Sequence, residues 1–331
     1  MRARALRLTL AALLAILTVP LAPGAPAAAA VGTIRWGYYV TYDAASLTSL
    51  RANVDKLTHV APFYYGLNGD GTIDARNEQP ETTAFLRSKG VTILPMIKNH
   101  ATYDAFHNLI DTPEEQDRLV AALAELVVAK GYDGIHVDWE GVNADDRPLL
   151  TDFMRRLRAR LGAANKLTTM AVAAKSSDIK TGWGGAYDYA ALAPHTDLVV
   201  VMAYDYNWVS DPTPGPVAPL PWVRGVAQFA AGQFGPGKTI LGVPFYGFDW
   251  NTTKGPPARS VKMAEGPALA QRPGATSGYS ATDEANWVRY TDEAGDAHEA
   301  WYEDERSLRA KFGVVNDLKL VGFGAWRLGQ E

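Results

Sequence analysis

The sequence predicts an α/β fold, a closed (β/α)8 TIM barrel with a small α+β insertion after its seventh strand. Three observations predict it. Short β-branched or aromatic runs recur eight times along the chain. Amphipathic helical patterns fill the intervals between them. What remains after an apolar leader, residues 31–331, is a typical length for one such barrel. An open doubly wound sheet uses the same alternation, and periodicity alone does not separate it from a closed ring.

The leader comes first. Arg2, Arg4 and Arg7 form a basic start, residues 8–19 are apolar, and Ala28-Ala29-Ala30 offers a small-residue cleavage site. Residues 1–30 therefore read as a signal peptide, with an apolar run too short to span a bilayer. The expected product is a secreted monomer, extracellular or cell-wall associated, with no membrane contact once the signal is cleaved. The chain has no cysteine, which excludes a disulfide framework and a thiolate metal site. A formal net charge of −4 and a pI near 5.9 leave no basic footprint for nucleic acid. Nine Trp and fifteen Tyr supply rings with a polar edge, which suit both core packing and the stacking of sugar faces.

The strand candidates are residues 34–40, 57–65, 91–97, 134–140, 166–173, 197–204, 239–246 and 320–326. Among the helices, Pro113–Lys130 places Leu119, Leu123, Leu126 and Val127 on one face, with Gly131 as C-cap. Residues 147–161 repeat Leu150, Phe153, Met154, Leu157 and Leu161 at three- and four-residue steps. One interval breaks the rhythm. Residues 248–305 carry Gly255-Pro256-Pro257, Pro273-Gly274 and two strand-like pieces, residues 287–290 and 299–302. A connection of that length inside a compact barrel carries structure of its own, here an insertion on the rim where barrel enzymes place their sites.

The segment richest in chemistry is Asp133-Gly134-Ile135-His136-Val137-Asp138-Trp139-Glu140. Side chains alternate along a strand, so Ile135, Val137 and Trp139 face one side and His136, Asp138 and Glu140 the other. If the apolar set packs beneath the helices, three titratable groups project into the lumen. Two carboxylates buried there without a task cost several kcal/mol unless they pair or change protonation. Neighbouring carboxylates resist joint ionisation, so one of them tends to keep a proton. A protonated carboxyl at a strand end is what cleavage of a glycosidic bond requires.

Asp133 to Glu140 resembles the signature D-G-x-D-x-D-x-E of family-18 glycoside hydrolases, with matches at Asp133, Gly134, Asp138, Trp139 and Glu140. The departure is His136, where chitinases carry the middle Asp. Met202-Ala203-Tyr204-Asp205 is similar to the family's sixth-strand motif. Gly242 to Gly247 and Gly322 to Trp326 resemble its seventh and eighth strands. Gly215 to Trp222 and Trp326 to Gly329 are closest to the spore-cortex and cell-wall N-acetylglucosaminidases of that family.

The resemblance implies a catalytic barrel over residues 31–331 that cleaves β-1,4 bonds beside N-acetylglucosamine, in chitin or peptidoglycan, with the substrate's acetamido group as nucleophile. It implies Glu140 as acid and base, Asp138 as orienter of the acetamido N–H, and Tyr204 as hydrogen-bond donor to its carbonyl. Trp326 becomes the subsite floor, with Asp205, Tyr246, His136 and Asp133 as supporting substrate-binding residues. No cofactor and no metal are implied, and neither His136 nor the pair His100 and His107 has ligand spacing. The partner is a polysaccharide containing N-acetylglucosamine. A cation at His136 would favour ionised Asp138 and alter the pH profile. Lys98 and Lys175, just after the third and fifth strands, are expected at the rim, where they could meet a muramic acid carboxylate. Two other readings use the same residues: a non-catalytic chitinase-like lectin, disfavoured because Glu140 is present, and an endo-β-N-acetylglucosaminidase acting on N-glycans.

Overall fold

The computed structural model describes residues 33–331. The proposed signal peptide lies outside the described residues. Within them, eight parallel strands form the barrel: β1 Ile34–Tyr39, β2 His59–Leu67, β3 Met96–Asn99, β4 Gly134–Asp138, β5 Leu167–Ala173, β6 Leu198–Met202, β7 Thr239–Pro244 and β8 Gly322–Trp326. Each pairs with its successor, and β1 pairs with both β2 and β8, so the ring closes. That closure decides against the open sheet. The third strand is shorter than its apolar run because Thr92–Ile93 and Met96–Asn99 are separate pieces. Pro95, between them, has no N–H to give the ladder.

The helices form where the sequence supplies both caps and an apolar face. Pro113–Lys130 starts at Thr112, whose side chain accepts from the Glu115 amide, has Pro113 in its first turn, and ends at Gly131 in the left-handed region at φ 65°. Its Leu119, Leu123 and Val127 are buried, and Leu126 is partly so. Arg147–Gly162 buries the five apolar residues of its repeat. Each such side chain, fully withdrawn from water, contributes on the order of 1.5–3 kcal/mol. These faces pack on the outside of the barrel, while Trp36, Tyr38, Ala61, Met96, Val200 and Ile240 fill its lumen.

The insertion begins two residues after β7 and is a five-stranded antiparallel sheet with one short helix, Gly266–Leu269. Its strand order is Arg259–Lys262, Tyr246–Asn251, Ala297–Tyr302, Ala285–Thr291, Thr276–Ser280. One face carries its own core of Val261, Val288, Tyr290 and Ala300. Tyr246, Phe248 and Trp250 pack instead with Val217 and against Tyr204 and Trp326 at the strand ends of the barrel. The inserted sheet thus builds one wall beside the mouth.

Candidate active site

The alternation along β4 fixes the site. Trp139 turns outward and packs on Phe106 and Phe153, with ring centroids 5.0 and 4.5 Å away. His136, Asp138 and Glu140 turn inward, but they occupy different levels. His136 is fully buried, with Nε2 2.8 Å from the Tyr38 hydroxyl and Nδ1 3.0 Å from Thr169 Oγ1. Because the Thr169 hydroxyl donates to the Ile135 carbonyl, Nδ1 carries the ring proton and Nε2 accepts from Tyr38. Burial pulls the His136 pKa down to about 3, so the ring is neutral.

Above it lies a cleft of about 660 Å³ at the C-terminal ends of the strands, lined by Asp138, Glu140, Tyr204, Asp205 and Trp326 together with Tyr38 and Lys98. Asp138 is only 4% exposed, and its Oδ1 has no hydrogen-bond partner. Burial, then the charge of Glu140, pushes its pKa up to about 7, against an opposing pull from Lys98. Glu140 stands higher, with a third of its side chain exposed and Oε1 accepting from Lys98 Nζ at 3.1 Å. Its backbone is held at two points by one side chain. Asn99 Oδ1 accepts from the Glu140 amide at 2.9 Å, and Asn99 Nδ2 donates to the Glu140 carbonyl at 2.7 Å. Gly141 follows at φ 66°, a left-handed turn that takes the chain away from the strand directly after the acid.

From β6 comes Tyr204. Burial and the surrounding hydroxyl and carboxylates raise its phenol well above the ordinary range, so it remains a protonated donor. Gly242 on β7 lets its ring sit there, since a Cβ at that position would stand 3.1 Å from Tyr204 Cε1 and 2.5 Å from the Val201 carbonyl oxygen. Tyr246 donates to Asp205. Trp326, the last residue of β8, meets Tyr38 edge-on at 5.2 Å. Trp183 and Trp208 also line the cleft, 47% and 51% exposed.

A buried acid with a free oxygen, a second carboxyl, a phenol and three indoles thus share one opening. The model of the glycosyl hydrolases family 18 matches residues 34–331. The chain belongs to that family. Its solved neighbours include a chitinase from Chromobacterium violaceum, at TM-score 0.83 and 26% identity over 90% of this chain and 95% of that one. A spore cortex-lytic enzyme of Bacillus megaterium superposes at TM-score 0.82, with 26% identity over 95% of this chain and 76% of that one. The cortical fragment-lytic enzyme of Bacillus subtilis is 31% identical over 283 residues, covering 82% of this chain and 65% of that protein. The chain spans just under two thirds of the length of the curated relatives it matches first.

Three expectations need correction in this family-18 barrel. His136 is a lumen residue below the cleft, neutral and satisfied on both nitrogens, so it neither touches substrate nor supplies a cation to Asp138. Asp133 lies at the opposite end of β4, exposed, where Oδ2 accepts from the Ile93 amide at 2.8 Å. Lys175 is 3% exposed and donates to the Tyr187 carbonyl, with Asp178 also in reach. It is a structural cation beneath a loop. The sequence reading missed Asn99, Trp183 and Trp208. The two indoles sit in Gly- and Pro-rich stretches after β5 and β6, and large apolar rings in such loops were the available signal.

Proposed function

We propose that this chain is a secreted hydrolase that cleaves β-1,4 linkages beside N-acetylglucosamine, in chitin or peptidoglycan, by substrate-assisted catalysis with retention of configuration. The observation that carries the reading is Asp138 Oδ1, a buried carboxylate oxygen without a partner, opening into the same cleft as Glu140 and Tyr204. A buried oxygen left unpaired costs about 1–3 kcal/mol, which a ligand N–H would recover. In the first step Glu140 gives its proton to the glycosidic oxygen, the C1–O bond breaks, and the acetamido oxygen bonds to C1. Asp138 accepts from the acetamido N–H and steadies the positive charge of the oxazolinium ion, while Tyr204 donates to the acetamido oxygen and aims it. In the second step water attacks C1, the bond between C1 and the acetamido oxygen breaks to restore the acetamido group, and Glu140 takes the water's proton. Trp326 stacks beneath the sugar, and Trp183 and Trp208 offer further platforms.

Two relatives support the substrate range by name, a chitinase and a cortical fragment-lytic enzyme. Secretion is supported by the basic and apolar start of the sequence. The test is to incubate the wild type and Glu140→Gln with chitin oligosaccharides and with purified peptidoglycan and to score reducing ends. Release by the wild type, lowered about 10²–10⁴-fold in the variant, is expected for loss of a general acid. Tight binding with no release by either protein would make the chain a lectin. Indifference to a thiazoline mimic of the oxazoline would remove the acetamido step.

A further inference from the structure

Among the described residues that line the cleft, Lys98 is the one cation, beside the carboxyls of Asp138, Glu140 and Asp205. Its side chain is about one third exposed, and its ammonium sits 3.1 Å from the carboxyl that serves the glycosidic oxygen. Burial works against its charge, but Asp138 and Glu140 together outweigh burial and hold its pKa above the ordinary lysine value. A neutral polysaccharide offers no anion for that cation to bind. An anionic group on the substrate would be attracted at Lys98 and repelled by the carboxyls elsewhere in the cleft.

The position of the cation names the anion. Glu140 addresses the oxygen on C4 of the departing sugar, and the adjacent carbon, C3, carries the lactyl ether when that sugar is muramic acid. A lactyl carboxylate therefore lies beside the oxygen being protonated, within reach of an ammonium that already touches the proton donor. In intact peptidoglycan that carboxyl is tied up as an amide to the stem peptide and has no charge.

We propose that Lys98 binds the free lactyl carboxylate of a muramic acid on the leaving-group side, so that the preferred substrate is a glycan already stripped of its stem peptides. The inference rests on the hydrolase reading above and narrows its substrate. It also gives the enzyme a place in a sequence: an amide hydrolysis that frees the lactyl carboxyl comes first, and cleavage of the sugar chain follows.

The experiment compares one defined glycan of alternating N-acetylglucosamine and N-acetylmuramic acid in two forms, lactyl carboxyls free or converted to methylamides, with chitin oligosaccharides alongside. Wild type is expected to favour the free acid by about tenfold or more in kcat/KM, the size of one charge-assisted hydrogen bond. Added salt should shrink that preference. Lys98→Met should bring the ratio close to one, and Lys98→Arg should restore much of it. Because the ratio is taken on a single protein preparation, a loss of folded enzyme leaves it unchanged, and a lysine that only positions Glu140 would lower both rates alike. A wild-type ratio near one, or a preference that survives Lys98→Met, overturns the inference. Cleavage of chitin oligosaccharides alone overturns it while leaving the hydrolase reading intact, and cleavage of none of the glycans overturns both.

Discussion

Two buried aspartates, one in the inserted sheet and one at the barrel mouth, are treated in opposite ways. Asp249 is 3% exposed and fully partnered: the Tyr290 hydroxyl donates to it at 2.6 Å, Arg259 reaches it at 3.3 Å, and His298 Nδ1 lies 3.0 Å from its other oxygen. Asp138 is equally withdrawn from water, yet one oxygen is left without a partner and its only nearby cation belongs first to Glu140. Burial of a carboxyl is common to both. What separates them is satisfaction: the sheet spends its donors on holding Asp249, while the barrel leaves Asp138 waiting for one from outside.

The sharpest way to break that comparison is to change each aspartate. Asp138→Asn keeps the shape but presents no charge to the oxazolinium ion, and kcat on oligosaccharides should fall about 10²–10³-fold with the fold intact by circular dichroism. A variant within a factor of about three of wild type would show that Asp138 is not part of the chemistry. Asp249→Ala should do the reverse. It strands Tyr290, His298 and Arg259 at a cost of about 2 kcal/mol, or about 4–8 °C in Tm, with activity per folded molecule preserved. Equal Tm values would remove the structural role assigned to the sheet's cluster.

A pH series sharpens the contrast within the lumen itself, because the two neighbours on β4 pull in opposite directions. Asp138 has its pKa raised from 3.8 to about 7, so the native state keeps a proton that the unfolded chain gives up. Its contribution to stability is complete below about pH 4 and is lost as pH rises toward 7. His136 has its pKa lowered from 6.5 to about 3, so the unfolded chain takes up a proton that the native state refuses. Its contribution is complete above 6.5 and is lost as pH falls toward 3. Between pH 4 and 6.5 the two slopes largely cancel. Asp138→Asn should uncover the histidine, giving an unfolding free energy, measured by urea titration, that rises between pH 4 and 6.5 by up to about 1.4 kcal/mol per unit of pH, and the urea midpoint with it. A midpoint with unchanged pH dependence would mean that these groups do not titrate as their burial requires.

Much of this architecture is legible in the chain because period and composition agree along it. The alternation from Ile135 to Glu140 placed three side chains inward, and they are inward. The long Gly- and Pro-bearing interval after the seventh strand announced the inserted sheet. What remained hidden depends on level and reach, which alternation does not encode. His136 and Asp138 share a face, yet one step of two residues along a strand, about 7 Å, separates a dry packed layer from an open cleft. Lys98 lies within β3 and faces the cleft, whereas Lys175 follows β5 and donates to the carbonyl of Tyr187, in a loop that folds over it. Asn99 is invisible for another reason: it acts on the backbone of a residue distant in sequence, and the pairing of β3 with β4 has to exist before that contact does.

Asn99 also provides the finest test of how the site is held. Its amide makes the two hydrogen bonds that pin Glu140 at the end of β4, where the ladder has already stopped and Gly141 turns the chain away. Asn99→Ala leaves every group that faces the substrate in place but lets the acid wander. A loss of alignment falls on the chemical step and not on binding, so kcat should drop about 5–10-fold with KM nearly constant. Asn99→Asp, which keeps an acceptor for the Glu140 amide and loses the donor to its carbonyl, should fall between the two. A rise in KM with kcat unchanged would instead put Asn99 in contact with the sugar, and the backbone clamp would not be what orients the acid.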